Sequence, residues 1–206
     1  MTDDKQSITG VILAGGLAKR MGGGDKCLLP LGGKTLLQRS IERAQPQVSE
    51  LILNANGNSL RFARSRLPVI ADLFANFPGP LAGIHAALTF MDERNPNNEW
   101  LASFACDTPF FPRDMVQQLL AAAGDSRLVV ARSNGRVHPI FALWHASMLG
   151  KVEQRLQKGD TPRLQEWIED FAPVYGDFSS ASYDPFFNIN TPQDLYSAEA
   201  QLIHVQ

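Results

Sequence analysis

Residues 9–26 read TGVILAGGLAKRMGGGDK, and the rest of the chain is organised around them. Val11, Ile12 and Leu13 form an apolar, β-branched run that feeds directly into Ala14-Gly15-Gly16. Lys19 and Arg20, then Gly22, Gly23 and Gly24, then Lys26 follow in the same loop. This is the pattern of a buried strand delivering a glycine-rich, cationic loop at its C-terminal end. Glycine lets main-chain N–H groups close round an anion, and lysine adds a mobile point charge for phosphate oxygens. The expected ligand is a nucleoside triphosphate held by its phosphates. A Gly-Gly pair after a strand is by itself only a turn signal; the local density of positive charge is what asks for an anion. No Gly-Lys-Ser/Thr closes the loop as in a Walker A sequence, and Gly15, Gly16 and Gly22 lack the G-x-G-x-x-G spacing of a dinucleotide site.

Composition narrows the class. A chain of 206 residues, 44% hydrophobic and 19% charged, suits one globular domain spanning residues 1–206. A net charge of −2 argues against a nucleic-acid surface, so the basic loop serves one small anionic ligand. Cys27 and Cys106 stand in apolar surroundings with no second pair for zinc, and read as small core residues. The N-terminal MTDDKQS is polar, and no run reaches the ~18 apolar residues of a membrane span. The expectation is a cytoplasmic protein with no membrane or nucleic-acid partner.

Along the chain, Thr35 with Gln38 makes a capping box for a helix whose Leu36, Leu37, Ile41 and Ala44 keep helical spacing until Pro46. Strands are expected at 50–54 and 69–71, with a short helix over 59–66 between them. Asn54 and Asp72 then fall at strand C-termini, where parallel α/β sheets bind ligands. Either residue can form a turn; equally, the carboxylate can accept the N1–H and 2-amino protons of guanine. An apolar helix running to Phe90 follows the stretch 77–84, whose Gly79 and Gly83 suggest close backbone approach. A buried strand at 100–105 ends in Cys106-Asp107-Thr108-Pro109. Asp107 there is either a turn residue or a Mg²⁺ ligand, since Mg²⁺ takes one or two carboxylates plus substrate phosphates. After a helix over 113–123, strands at 128–131 and 140–143 flank a Ser133-Asn134-Gly135 hairpin turn, which implies some antiparallel pairing. Helices are expected at 151–157, from a Thr161-Pro162 cap to Phe171, and at 195–203 behind a Thr191-Pro192 cap. A short extended piece, 174–175, lies between them. Residues 186–190 alternate apolar and polar like a strand, with Asn188 and Asn190 on one side.

The stretch LAGGLAKRMGGGDK resembles the signature of nucleotidyltransferases with a Rossmann-like, glycosyltransferase-A type fold, and within them the molybdenum cofactor guanylyltransferases of the MobA type. GPLAGI (79–84), CDTPF (106–110), HPIFALW (138–144) and NINTPQDL (188–195) resemble further blocks of that family. The resemblance implies an α/β fold, a three-layer α/β/α sandwich around a mostly parallel sheet. Its N-terminal half would bind GTP and its C-terminal half would contribute a pterin site. It implies GMP transfer from GTP to the terminal phosphate of the molybdenum-molybdopterin cofactor, with pyrophosphate released. Arg20, Lys26 and Asp107 would be catalytic. Leu13, Ala14, Gly15, Lys26, Asn54, Asp72 and Asp107 would bind GTP. Asp107 would hold Mg²⁺, with Mn²⁺ an alternative, and His138, Asn188 and Asn190 would face the pterin. Molybdenum-insertion proteins and molybdoenzyme chaperones are the implied protein partners. Cytidylyl transfer to the same pterin, or nucleotidyl transfer to a sugar or polyol phosphate, is the neighbouring alternative. Gly15 in LAGG, where many such relatives have LAAG, and the absence of room for a C-terminal β-helix favour guanylyl. A non-catalytic nucleotide-binding adaptor is the alternative from another class.

Overall fold

The computed structural model describes residues 8–15, 24–74, 79–159, 163–179 and 183–202. Lys19, Arg20 and most of the glycine run, as well as Asp160, Thr161 and Pro162, lie outside the described residues. The strands are β1 (Ile8–Leu13), β2 (Pro30–Leu31), β3 (Lys34–Thr35), β4 (Glu50–Asn54), β5 (Val69–Ile70), β6 (Trp100–Ala105), β7 (Leu128–Ser133), β8 (Arg136–His145) and β9 (Val174–Phe178). The helices are α1 (Leu36–Ala44), α2 (Pro80–Arg94), α3 (Met115–Ala122), α4 (Leu149–Gln157), α5 (Leu164–Glu169) and α6 (Pro192–Gln201).

Seven strands form one sheet in the order β5-β4-β1-β6-β8-β7-β9. All neighbours are parallel except those of β8, which runs antiparallel to both β6 and β7. The alternation of side chains along β1 sends Ile8 and Ile12 to one face and Val11 to the other. The first face packs with Leu51, Leu53 and Phe104 against α1 and α3 through Leu37, Met115 and Leu119. The second packs with Ile52, Leu101 and Trp144 against α2, α4 and α5 through Ile84, Leu88, Val152 and Trp167. Burial on both faces explains why these strands are continuous apolar runs. The result is a three-layer α/β/α sandwich. No helix among the described residues is long and apolar enough to cross a membrane.

Local chemistry places the boundaries. Thr35 accepts from the Gln38 N–H while the Gln38 side chain accepts from the Thr35 N–H, the capping box that starts α1. Asn134 (φ 48°) and Gly135 (φ 76°) make the tight turn between β7 and β8, a backbone shape that favours Asn-Gly. In β8 the register with β7 slips between Val130 and Ala131, whose partners are Ala142 and His138. Pro139, which has no N–H to give the ladder, sits in that irregularity.

The short helix expected at 59–66 is a 3-10 helix over residues 59–65, and Gly32-Gly33 turns β2 back onto β3 as a hairpin. One segment departs from the sequence-based expectation. The alternating segment 186–190 forms no strand, because its N–H groups bond elsewhere: Phe187 to the Asp184 carbonyl, Ile189 to the Asp107 carbonyl and Asn190 to the Asp194 carboxylate.

Candidate functional site

Chain order reverses direction beside β1: β4 and β5 lie to one side of it, β6 to the other. Register brings Leu13, Asn54, Ile70 and Ala105 together at the C-terminal ends of these four strands. A cleft of about 340 Å³ opens there, within the range of small-molecule sites and at the position where open α/β sheets bind ligands. Leu13, Gly15 and Ile140 line it, together with two polar groups on opposite sides of β1.

On the β4–β5 side, the Asp72 carboxylate is held by amides. Asn54 Nδ2 donates to Asp72 Oδ1 at 2.9 Å and Asn56 Nδ2 donates to Asp72 Oδ2 at 2.7 Å. Asn56 Oδ1 in turn accepts the Asp72 N–H at 2.9 Å. Asn54 is 5% exposed and packs against Gly83 in the second turn of α2. A Cβ at Gly83 would run into the Asn54 side-chain oxygen and stand 2.9 Å from Leu13 Cδ2. The absent side chain of Gly83 therefore admits Asn54, a protein group. Gly79, at the start of α2, is the glycine of that block that lines the cleft.

On the β6 side, Lys26 and Asp107 form an ion pair, Nζ to Oδ2 at 2.6 Å. The lysine side chain is 9% exposed and the aspartate 21%. Two further oxygens converge on the ammonium: Asn190 Oδ1 at 2.6 Å and Asn188 Oδ1 at 3.4 Å. The alternation that mimics a strand at 186–190 is thus the geometry that aims both amides at Lys26. Asn190 is fixed in turn by Asp194, whose carboxylate caps α6 and accepts the Asn190 and Thr191 N–H groups. The Asn190 N–H bond holds the Asp194 carboxyl below its ordinary range. Next to this pair, the hydrogen bond to Cys27 together with complete burial pushes the Cys106 thiol well up. Cys106 is a neutral wall of the cleft with no nucleophilic character.

The described residues gather no group of three or more His, Cys, Asp or Glu side chains able to hold a metal. On the β6 side of the cleft, what they offer a cation is one partly exposed carboxylate, Asp107, the neighbouring Asn188 and Asn190 oxygens being taken by the Lys26 ammonium. A single hard-oxygen ligand, incomplete by itself, fits Mg²⁺ bound jointly with phosphates and does not fit a protein-enclosed zinc centre.

Of the residues expected from sequence, Leu13, Gly15, Lys26, Asn54, Asp72 and Asp107 share the cleft, and Asn188 and Asn190 reach it through Lys26. Ala14 is buried, and its N–H bonds to the Asn54 carbonyl. Arg20 lies outside the described residues. His138 is 8% exposed, hydrogen-bonded to Ser133 at 2.8 Å and stacked on Phe186 with ring centroids 4.5 Å apart. Burial lowers its pKa to about 4, so it stands in the core as a neutral imidazole. Asn56 and Arg61 were absent from the expectation. The Asn54-Ala55-Asn56-Gly57-Asn58 run reads as a turn, and only the fold shows that Asn56 faces Asp72.

Residues 10–174 match the MobA-like NTP transferase domain. A molybdenum cofactor guanylyltransferase of Nitrobacter hamburgensis is 43% identical, over 97% of this chain and 96% of the relative. One of Mesorhizobium japonicum is 44% identical, over 94% of this chain and 95% of the relative. In structure, the chain superposes on molybdopterin-guanine dinucleotide biosynthesis protein A of Archaeoglobus fulgidus with a TM-score of 0.75 at 23% identity, covering 95% of this chain and 99% of that one. A Mycobacterium tuberculosis protein solved as a manganese complex gives 0.68 at 16% identity, covering 95% and 99%. These two structural likenesses speak for the fold, whereas the sequence matches run nearly end to end. The chain belongs to the MobA-like NTP transferase family.

Proposed function

We propose that the chain transfers GMP from GTP to the terminal phosphate of the molybdenum-molybdopterin cofactor, forming the guanine dinucleotide cofactor and pyrophosphate. The observation that carries the reading is the polarity of the cleft. An amide-held carboxylate suited to guanine stands on one side of β1, and a lysine–aspartate pair suited to phosphates and a cation stands on the other.

The Asp72 carboxylate accepts the guanine N1–H and 2-amino protons, and Leu13 and Gly15 border the nucleotide. Lys26, joined by Arg20 from the glycine loop, meets the triphosphate. An oxygen of the acceptor's terminal phosphate attacks the α-phosphorus; a new P–O bond forms there, and the bond to the bridging β-oxygen breaks as pyrophosphate leaves. That acceptor is already an anion near neutral pH, so no side chain has to remove a proton. The protein's work is positioning and charge neutralisation. Asp107 would hold Mg²⁺, which when bound supplies charge stabilisation between the two anionic reactants. Asn188 and Asn190 keep Lys26 aimed into the cleft from the C-terminal half, the side assigned to the pterin.

Pyrophosphate release from GTP, CTP and ATP, each with Mg²⁺ and with or without the molybdenum-pterin acceptor, tests this. GTP-selective release that depends on the acceptor is the expected result. CTP selectivity would move the base assignment to a cytidylyltransferase. Measurable GTP binding without release from any nucleotide would favour a non-catalytic role.

A further inference from the structure

Asp72 has its two oxygens in different hands. Asn54, buried under α2, holds Oδ1; Asn56, exposed at the cleft rim, holds Oδ2. An ionised carboxylate oxygen accepts two hydrogen bonds, so one acceptor position remains on each oxygen. Asn56 also accepts the Asp72 N–H, so a single amide grips both the side chain and the main chain of Asp72. Asn56 is itself anchored. Arg61 donates to the Asn56 and Asn58 carbonyls and forms an ion pair with Asp25 at 2.7 Å, next to Lys26 in the chain. The loop that grips Asp72 is therefore tied to the segment that carries the phosphate lysine.

We infer that Asn56 is a specificity-determining positioning residue: it locks the Asp72 carboxylate in the rotamer whose two free acceptor positions meet guanine. This rests on the reading of Asp72 given above. Guanine offers two adjacent donors to a carboxylate, N1–H and the 2-amino group. Adenine presents an unprotonated N1 there and no 2-amino group. A locked carboxylate meets that N1 lone pair and repels it, whereas a loose one rotates aside, so rigidity creates the discrimination against the wrong base. The contact is exposed in the free protein and adds little to stability. It gains strength when a base covers the cleft and excludes water.

The test is equilibrium binding of GTP, ATP and inorganic tripolyphosphate, each with Mg²⁺, to the full chain and to its Asn56→Ala variant. The expected result is a drop of about tenfold in the GTP-to-ATP preference, with tripolyphosphate affinity within about twofold of wild type. An unchanged preference overturns the inference while leaving the guanylyl reading in place. An equal loss for all three ligands also overturns it, because Asn56 would then serve only the fold. A wild-type chain with no preference for GTP removes both the inference and the reading beneath it. If Asn56→Ala does not fold, Asn56→Ser carries the same comparison, since serine keeps the turn but cannot span both contacts to Asp72.

Discussion

Lys26 has one charge and three N–H donors, and the ligand-free chain engages all of them. In the ligand-free chain it neutralises Asp107 and is steered by two amide oxygens. An arriving triphosphate brings competing acceptors, and charge-assisted bonds of this type are worth roughly 1.5–3 kcal/mol each. Lys26→Ala is expected to weaken GTP·Mg²⁺ binding or turnover by about 10- to 100-fold, following that energy. Titration with GTP·Mg²⁺ reads it, and a loss below about twofold would take Lys26 off the phosphates. Asp107→Asn asks a different question. The amide keeps the shape and a neutral acceptor for Lys26, so nucleotide binding without metal should survive. Metal-dependent pyrophosphate release should disappear, and activity at the wild-type level in this variant would remove the carboxylate from the mechanism.

At the scale of elements, α2 and β4 share a boundary with no slack. Glycine inside a helix ordinarily loses to alanine by about 1 kcal/mol, so Gly83→Ala on an unpacked surface would stabilise α2. Here the new methyl meets the Asn54 side-chain oxygen and Leu13 Cδ2. Asn54 cannot swing away, because its amide is bound to Asp72 and the Ile70 carbonyl. Overpacking of this kind costs about 1–3 kcal/mol, and it should also push Asn54 off Asp72. Gly83→Ala is expected to lower both the midpoint of chemical denaturation and GTP affinity. A variant more stable than wild type, with unchanged GTP affinity, would show that the helix shifts to make room. This contact also marks how far sequence reading reaches. The strands at 50–54 and 100–105 were legible to the residue, because short apolar runs bounded by polar residues leave little choice of element. The Thr35–Gln38 cap was legible because its partners lie three residues apart. Gly83 invited a ligand-facing role because a missing side chain looks the same in sequence whether it admits a nucleotide or an asparagine.

Across the whole molecule, what sequence could not show is which distant segments meet. Lys26 and Asp107 were each assigned a ligand, and their pairing across 81 positions appears only in the fold. His138 is the sharper case: its block suggested a pterin contact, yet it belongs to a buried chain that pins the segment carrying Asn188 and Asn190. Ser133 Oγ donates its one proton to Asp184 at 2.9 Å, so it must accept from His138, which fixes a neutral imidazole protonated at Nε2. Phe186, stacked on that ring, closes the unit. Burial depresses the His138 pKa from 6.5 to about 4; the nearby Asp184 charge pulls it up less strongly, and Arg136 adds to the depression. Between these two values the unfolded chain binds a proton that the native chain refuses, so folding is favoured less as the pH drops. The contribution is complete above about pH 6.5 and is lost as the pH falls through about 4. Denaturation of the wild type and of His138→Gln, whose amide can still donate to Ser133, should separate the two between those limits. The wild-type stability should fall more steeply, by up to about 1.4 kcal/mol per pH unit for one proton. Carboxylates titrating in both proteins cancel in the comparison. Parallel profiles across the window would mean that His138 is protonated in the native state, and that the Ser133–Asp184 link holds the segment by another arrangement.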